Sequence, residues 1–478
     1  MLDPRKRFDI VKDPVHGYIR FTRERLRPAE KATEADLINS AWLQRLRRIH
    51  QMQTAWYVYP AADHTRFIHS LGTMELAGRF ARAVYEPFHK YYQGKLNGER
   101  LPEVEHVVET FRIAGLLHDV GHGPMTHMLD SAFLKPVFGI THEDIAGEII
   151  RRELRQIVEG IRRSPDGDFD DPLNVDVICN LVKKGAEQKL EGIWRPLHQI
   201  IRGAYDADKM DFLLRDGLLC GERKAALADV ERLMLTSFMS ADGTSLLLHH
   251  SSLPLLLSLI RLRQHMLEVV YYHRTVRAFE LMVRETLPQI LVHLVTENPL
   301  QNLAAYFEAD DYRLLACMRG AKGALAENVS AIWRRVWQRD LEWKYIDEHK
   351  EQLYSIRETH THFTGRELAA RLQDATGLVH EQSFIVDSPS VETPGNVFSF
   401  SRDLSTRDRL AIYYDEKRTE TKTVDQFVRA GLLPIKLLQF RLYARKGLHE
   451  NDVARLRAAF AKETGREESV DSGLDTSY

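Results

Sequence analysis

The stretch LLHDVGHGPMTH, residues 116–127, constrains the fold of this chain more than any other. An apolar run leads into it and is typical of a buried helix that ends at His118 and Asp119. Two glycines and a proline follow and force a tight turn. Because adjacent helical residues point about 100° apart, the pair can share one ion only near a helix end. Imidazole and carboxylate ligands suit a divalent metal, whereas the alternative for an isolated pair is a core His beside a capping Asp.

Composition narrows the class of protein. The chain has 478 residues, 44% of them hydrophobic and 28% charged, so it can bury a large core. Its formal net charge of −2 argues against a broad nucleic-acid surface. Three cysteines without CxxC spacing argue against a disulfide framework and against a zinc–thiolate site. No stretch approaches the roughly 20 apolar residues that a membrane helix needs, so we expect a cytoplasmic protein without a membrane partner.

Helical periodicity dominates the first 380 residues. A short hairpin is predicted over 8–22, and apolar residues at helical spacing predict a helix over 34–50. Arginines 45, 47 and 48 close that helix and either complement its dipole or bind an anion. Later segments are β-prone, with a helix predicted near 424–430. The pattern predicts a mostly α fold with a main domain over 1–300, a helical extension over 301–380, a small α+β lobe over 381–450 and a disordered tail over 464–478.

Further candidate metal ligands lie outside the central stretch. His69 lies at the start of one predicted helix, and Asp208 lies in another that is otherwise apolar. A buried carboxylate needs a partner, which is either an arginine (Arg202 or Arg215) or a metal. Two imidazoles and two carboxylates would leave open positions on an octahedral ion for water and substrate. The candidate metal ligands are His69, His118, Asp119 and Asp208.

The order H…HD…D, with apolar helices around each member, resembles the HD-domain phosphohydrolases. One branch, the deoxynucleoside triphosphate triphosphohydrolases, is similar at several points. The matching stretches are KDPVHGYI (12–19), RFIHSLG (66–72), LLHDVGHGPMTHMLD (116–130), THE (141–143), DADKMDFLLRD (206–216) and VYYHRT (270–275). The resemblance implies an HD-domain helical core with a small C-terminal α+β lobe. It also implies one divalent metal ion (Mn, Mg, Fe, Ni or Zn) and hydrolysis of deoxynucleoside triphosphates to deoxynucleoside and triphosphate.

The resemblance also implies roles for individual residues. His122, His127 and His142 would contact phosphates or deliver protons, with Asp130 orienting His142. The residues expected to hold the substrate are Gln51, Arg66, Lys209, Asp216, Arg263, Tyr271 and Tyr272. Within that set, Gln51 would face the sugar 3′-hydroxyl, and the two tyrosines would flank the sugar and exclude a ribonucleotide. A homo-oligomer (dimer or tetramer) and a possible allosteric nucleotide are further expectations.

Two departures from the resembled pattern bear on substrate and regulation. Phe212 stands where a phosphate-contacting Tyr is expected, and Asn39 stands where an Asp would read guanine. An Asn offers one acceptor and one donor, so it does not match the two donors of guanine. Two alternatives to a triphosphohydrolase stay open: an HD phosphodiesterase or nucleotidase acting on a cyclic or monophosphate nucleotide, and a catalytically quiet nucleotide sensor or nucleic-acid-binding protein.

Overall fold

The computed structural model describes residues 8–320, 324–353, 364–389, 411–413, 421–423 and 436–465. Within them the protein is mostly helical, as the sequence predicts, with small sheets at its edges. Two long helices form the centre: α1 (Arg66–Tyr91) and α2 (Val104–Leu117). They pack closely because α2 carries Gly115, where a Cβ would lie 2.8 Å from the carbonyl oxygen of Thr73. Two further helices complete the surroundings of the candidate site, α3 (His142–Ile149) and α4 (Ala207–Cys220).

The other helices pack around this centre or extend from it. The α-helices span Glu34–Ile38, Ala41–Arg45, His127–Leu129, Lys135–Phe138, Arg155–Val158, Val175–Val182, Trp194–Leu197, Gln199–Arg202, Val230–Leu235, Leu253–Met266, Arg274–Leu294, Leu303–Phe307, Asp311–Gly320, Ala324–Trp337, Gly365–Thr376 and Glu450–Glu463. Short 3₁₀ turns span Leu46–Arg48, Ala55–Tyr57, Glu187–Lys189, Arg223–Leu227 and His250–Ser252. Three π-helical turns span Asp130–Leu134, Ile150–Leu154 and Leu267–Tyr271.

The N-terminal region confirms one prediction and corrects another. The predicted hairpin is present, with strand Asp9–Asp13 antiparallel to Gly17–Phe21. The single helix expected over 34–50 is wrong, because the chain forms two short helices and a 3₁₀ turn there. Ser40 lies between the two helices in an extended conformation, and its hydroxyl accepts from the backbone N–H of Leu43. A capping serine therefore starts a new helix where periodicity alone suggested continuation.

The C-terminal part contains a three-stranded antiparallel sheet in the order Trp343–Leu353, Lys436–Arg445, Phe384–Asp387. Its first strand lies inside the segment 301–380, for which only helices were expected, and that expectation is wrong there. The strand is rich in charged residues with good helix propensity, so pairing with a distant strand overrides its local preference. Helices Gly365–Thr376 and Glu450–Glu463 cover this sheet and share a separate small core with it.

A four-stranded sheet joins Thr421–Thr423, Ala411–Tyr413, Leu246–His249 and Ser237–Met239 in that order, and a two-stranded ribbon pairs Lys95–Leu96 with Glu99–Arg100. The helix expected near 424–430 and the tail beyond 465 lie outside the described residues. The domain boundaries at 300 and 380 stay predictions. Among the helices of the described ranges, none has the length and apolar character needed to cross a bilayer.

Candidate metal centre and active site

Three helices bring the four candidate metal ligands together. His69 lies in the first turn of α1, His118 caps the end of α2 with Asp119 next to it, and Asp208 lies in the first turn of α4. His69 Nε2 is 3.2 Å from His118 Nε2 and 3.1 Å from Asp208 Oδ1. His118 Nε2 is 3.6 Å from Asp208 Oδ1 and 3.3 Å from Asp119 Oδ1. Asp208 therefore contacts the histidines, and Arg215, one alternative partner, binds Asp211 and Asp13 instead.

The hydrogen bonds of the two imidazoles test whether a cation fits. His118 Nδ1 donates to the carbonyl of Gly115 at 2.7 Å, and His69 Nδ1 donates to Asp211 Oδ2 at 2.7 Å. In the neutral rings both Nε2 atoms are then unprotonated, so these two lone pairs and a carboxylate oxygen of Asp208 lie close enough together to bind one ion, with Asp119 Oδ1 beside His118. Ligand atoms about 2.1 Å from one ion lie about 3.0–3.4 Å apart at octahedral or tetrahedral angles, close to the spacing seen. The donor set therefore fits a divalent metal.

The electrostatics of this cluster also favour a cation. Burial alone would lower the pKa of His69, but hydrogen bonds to Asp208 and Asp211 raise it to about 10. Burial would raise the pKa of Asp208, but His118 and His69 hold it well below its usual range. The two carboxylates around His69 therefore favour positive charge at this position, which a divalent cation would supply.

Asp211 lies one turn after Asp208 and binds the ring nitrogen of His69 that faces away from the candidate metal site. It accepts hydrogen bonds from His69, from His16 at 2.6 Å, and from two nitrogens of Arg215 at 2.9 Å. Burial would raise the pKa of Asp211, but Arg215 and the two histidines hold it well below its usual range. A partner that accepts from the far nitrogen of a ligating His fixes its tautomer and orientation. In the sequence this Asp is part of DADKMD, where no local pattern indicates its contact with His69.

Three more histidines form a second cluster beside the first. The rings of His122 and His142 stack with centroids 3.7 Å apart, and His127 approaches both edge-on at 4.9 and 5.4 Å. Asp130 accepts from His142 Nδ1 and also from its backbone N–H at 3.1 Å. Asp130 and His142, two of the expected site residues, are therefore in direct contact.

His122 is the histidine best placed to meet a ligand. It is fully buried, and neither ring nitrogen has a hydrogen-bond partner among the described residues. Its Nε2 lies 3.4 Å from Asp119 Oδ1, which links the two histidine clusters. Burial, with Arg66 and His142 nearby, lowers the pKa of His122 well below its usual range. At neutral pH the ring is therefore neutral, with one nitrogen able to donate and the other to accept.

The backbone around these histidines is unusual. Met125 and Thr126 have positive φ angles of 58° and 49°, and the Met125 N–H donates to Asp311 Oδ1 at 2.9 Å. Non-glycine residues in this region are strained and cluster at functional sites. Gly121 allows α3 to approach, because a Cβ there would lie 2.0 Å from the carbonyl oxygen of His142. Asp130 and Tyr271 both lie in π-helical turns, which are also frequent at functional sites.

A third group lies at the far end of α4. Asp216 accepts from the Tyr271 hydroxyl at 2.6 Å and from His64 Nε2 at 2.7 Å. Burial and Asp216 raise the pKa of Tyr271 well above its usual value, so the hydroxyl stays a donor. The backbone N–H of Gln51 donates to the carbonyl of His64 at 2.9 Å, and Gln51 Oε1 is buried without a partner in the described part of the chain. Three predicted substrate residues therefore meet here, together with His64, which sequence analysis missed.

The remaining residues that were predicted to bind substrate do not all lie together in the structure. Arg66 is buried and donates to Asp119, which places a cation against the metal-ligand cluster. Lys209 instead directs its ammonium to Asp206 and to the carbonyl of Gly203 at 2.9 Å. Arg263 is half-buried and close enough to Tyr271 and Tyr272 to influence the pKa of both. Phe212 contacts the Tyr271 ring edge-on, with centroids 6.3 Å apart.

Arg45 is another residue whose role the sequence did not reveal. It is fully buried and donates to the carbonyl of His122 at 2.6 Å, to that of Phe307 at 2.9 Å and to that of Ala309. Arg45 lies in the last turn of its helix, as the dipole interpretation expects, but backbone carbonyls occupy its guanidinium, so the anion-binding alternative does not apply to this arginine. Its buried position could not be seen in the sequence, because two of its partners lie more than 260 positions away.

Comparison with known proteins assigns the central region to a family. The HD domain pattern matches residues 66–213, which carry all four candidate metal ligands, and the HD associated region matches residues 228–398. An HD domain indicates a metal-dependent hydrolase. A crystal structure of a hypothetical protein from Aquifex aeolicus has a TM-score of 0.65 and 23% identity. It covers 94% of this chain and 100% of that one, and at this identity the likeness shows the fold alone.

Several curated relatives share part of the chain. An uncharacterized protein of Methanocaldococcus jannaschii, MJ1154, is 28% identical over 71% of this chain and 60% of its own length. The deoxynucleoside triphosphate triphosphohydrolase SAMHD1 homolog of Dictyostelium discoideum is 26% identical over 72% of this chain and 61% of its own. The chain thus spans about three fifths of these two relatives. Human deoxynucleoside triphosphate triphosphohydrolase SAMHD1 is 31% identical over 43% of this chain and 32% of its own. The chain is therefore an HD-domain protein with an HD-associated region, and its homologues include SAMHD1 and its homologs.

Proposed function

We propose that this protein hydrolyses deoxynucleoside triphosphates to deoxynucleoside and triphosphate at the metal centre. The arrangement around Asp119 carries the proposal. This carboxylate lies 3.3 Å from the metal-ligand candidate His118, 3.4 Å from the unpartnered His122, and accepts from Arg66. A metal site, a neutral imidazole and a buried cation therefore meet at one point. Phosphoryl transfer needs these groups, because negative charge must be neutralised and a proton must be supplied.

Each residue of the site has a proposed role in holding the metal or binding the phosphates. His69, His118, Asp119 and Asp208 would hold one divalent ion, which when bound polarises a phosphoryl oxygen and acidifies a bound water. Arg66 would neutralise charge on the phosphates, and its Nε is buried without a partner in the described structure. His122 and His127 would contact phosphate oxygens.

The second histidine cluster would supply the proton for the leaving group. His142, held through Nδ1 by Asp130, would donate a proton to the departing 5′-oxygen. Asp130 would stabilise the protonated form of the ring before transfer, as a carboxylate does for a general-acid imidazole. The close stacking of His122 on His142 keeps the donor ring in a fixed plane beside the phosphate-binding nitrogen.

The sugar end of the substrate would lie near Asp216. Gln51 Oε1, which lacks a partner, would accept from the 3′-hydroxyl, and the ring of Tyr271 would close the space beside C2′. Tyr272 would lie on the same side, and Arg263 would reach the phosphates past the two tyrosines. Lys209 would join them on release from Asp206, since a triphosphate offers it more negative charge than one carboxylate.

The substrate assignment is tested by product analysis. Metal-loaded protein is incubated separately with each deoxynucleoside triphosphate, with ribonucleoside triphosphates and with a cyclic nucleotide. Release of tripolyphosphate from deoxynucleotides supports the proposal. Release of monophosphate or orthophosphate supports the phosphodiesterase or nucleotidase alternative, and no turnover supports a nucleotide sensor.

We further propose that the protein acts in the cytoplasm as a homo-oligomer and binds an allosteric nucleotide near its N-terminus. Exposed apolar side chains on the N-terminal hairpin support self-association, because Ile10, Val11 and Tyr18 are 54%, 36% and 60% exposed. Light scattering with and without nucleotide tests this assembly, and a monomer under all conditions contradicts it.

A further inference from the structure

The turn of the N-terminal hairpin contacts the residue that supports a metal ligand. His16 Nε2 donates to Asp211 Oδ1 at 2.6 Å, and the other oxygen of Asp211 accepts from His69 Nδ1 at 2.7 Å. The side chains of His16, Asp211 and His69 are 4%, 0% and 1% exposed. Three buried side chains joined by hydrogen bonds therefore connect a turn near the start of the chain to the candidate metal centre.

A second contact from the same turn holds this relay. Arg215 donates to Asp211 through Nε and Nη2, and to Asp13 Oδ2 through Nη1 at 2.8 Å. The other oxygen of Asp13 accepts the backbone N–H groups of Val15 and His16 at 2.8 and 2.9 Å, which fixes the turn. The turn therefore holds the Asp211–Arg215 pair through two side chains.

The opposite side of the pair is closed by the helix that carries the metal ligand. Gly72 lies three residues after His69 on α1, and a Cβ there would lie 1.9 Å from Asp211 Oδ1 and 2.4 Å from Arg215 Nη2. The Asp211–Arg215 pair therefore lies in close contact with the backbone of α1 on one side and with the hairpin turn on the other. Any displacement of Asp211 must change its hydrogen bond to His69.

The hairpin has few other anchors. Of its ten strand residues only Asp13 and Ile19 are buried. Outside the turn, the carbonyl of Arg20 accepts from Arg112 Nη2 at 2.6 Å, and the Arg20 guanidinium donates to the two oxygens of Asp166 at 2.6 and 3.2 Å. A two-stranded ribbon of this kind is marginally stable alone, so its attachment depends on these few contacts.

We propose that His16 is a positioning residue for the metal centre, and that docking of the hairpin turn sets metal affinity through Asp211 and His69. Residues that support a ligating His typically contribute about 10–100-fold to metal affinity. Because such coupling is reciprocal, metal binding stabilises the docked hairpin by the same factor. The inference rests on the metal site of the proposed function and is independent of its substrate.

Metal affinity gives the first test. Metal-free protein is titrated with Mn²⁺ by calorimetry in wild type and three variants. His16→Ala should weaken Mn²⁺ binding about tenfold. His16→Gln should recover most of the loss, because a glutamine amide can place an N–H donor near the position of Nε2. Lys12→Ala is the matched control, since this residue is exposed on the same hairpin, and its affinity should equal that of wild type.

Hydrogen exchange gives the second test, because it reports docking of residues 9–21 directly. Addition of Mn²⁺ should slow exchange in this segment in wild type and in His16→Gln, and should have little effect in His16→Ala. Equal Mn²⁺ affinity in wild type and His16→Ala would overturn the inference, as would equal weakening in Lys12→Ala or metal-independent exchange. Neither readout requires a nucleotide, so failure to hydrolyse deoxynucleotides contradicts the proposed function alone.

Discussion

Glu109 tests the electrostatics of the helices that carry the metal ligands. It lies on α2 and is fully buried, and within the described structure neither carboxylate oxygen makes a hydrogen bond. Arg112 is 3.6 Å from Glu109 but donates to Glu34 at 2.7 Å and to Glu75 at 3.2 Å. Burial and the charge of Glu34 raise the pKa of Glu109 well above its usual value. We therefore expect Glu109→Gln to stabilise the protein.

The expected gain depends on pH in a defined direction. Between an unfolded pKa near 4.5 and the raised folded pKa, the folded state binds more protons than the unfolded state. The free energy of unfolding of the wild type therefore falls as pH rises through this window. The variant lacks the titrating carboxyl, so its free energy of unfolding does not show this fall. Arg112 retains two carboxylate partners in the variant. We therefore expect a net gain above the folded pKa, comparable to the roughly 1–3 kcal/mol that an unpaired buried polar group costs.

Denaturant unfolding at about pH 5 and about pH 8 measures this difference, which should be small at the lower pH and large at the higher. The matched control is Glu105→Gln, one turn earlier on the same helix. Glu105 forms two hydrogen bonds with Arg82, at 2.8 and 2.7 Å, so its neutralisation should destabilise the protein. A destabilised Glu109→Gln at the higher pH, or a gain that does not change with pH, would refute the reasoning.

The other predictions concern the metal, the sugar and regulation. Asp119→Ala should lose bound metal and hydrolysis together, and a variant that keeps its metal in elemental analysis would contradict the ligand assignment. Chelation should lower the free energy of unfolding by about 2.7 kcal/mol relative to metal at about 100 times its Kd, and an unchanged melting midpoint would argue against a site in the folded core. Tyr271→Ala should lower the ratio of deoxynucleotide to ribonucleotide turnover, and an unchanged ratio would remove this residue from sugar selection. Because Asn39 presents a donor to a donor of guanine, GTP should bind at least about tenfold more weakly than to a carboxylate, a loss of about 1.4 kcal/mol. Saturable activation by micromolar GTP, abolished in Asn39→Ala, would show that the pocket reads guanine.

The sequence predicted the parts of the site that lie in continuous motifs. The helix ending at His118 and the turn that follows it depend on local residue patterns, and both are present. The mostly helical fold follows from the same periodicity. The convergence of His69 with Asp208 could be expected only through the resemblance, because 139 positions separate them.

What the sequence could not show depends on long-range packing. His16 and His64 meet Asp211 and Asp216 through contacts that span 195 and 152 positions. No local pattern distinguishes such a histidine from one in solvent. The strand Trp343–Leu353 was missed for the same reason, since its partner strand begins at Lys436.

The fate of water oxygen tests the central claim most directly. Mn²⁺-loaded protein is incubated with an equimolar mixture of the four deoxynucleoside triphosphates in water enriched in heavy oxygen, and the products are resolved by mass spectrometry. Attack of water at the α-phosphorus with departure of the 5′-oxygen predicts unlabelled deoxynucleosides and tripolyphosphate that carries one heavy oxygen atom. Deoxynucleoside monophosphates with pyrophosphate, labelled orthophosphate, or label in the deoxynucleoside hydroxyl would contradict the account.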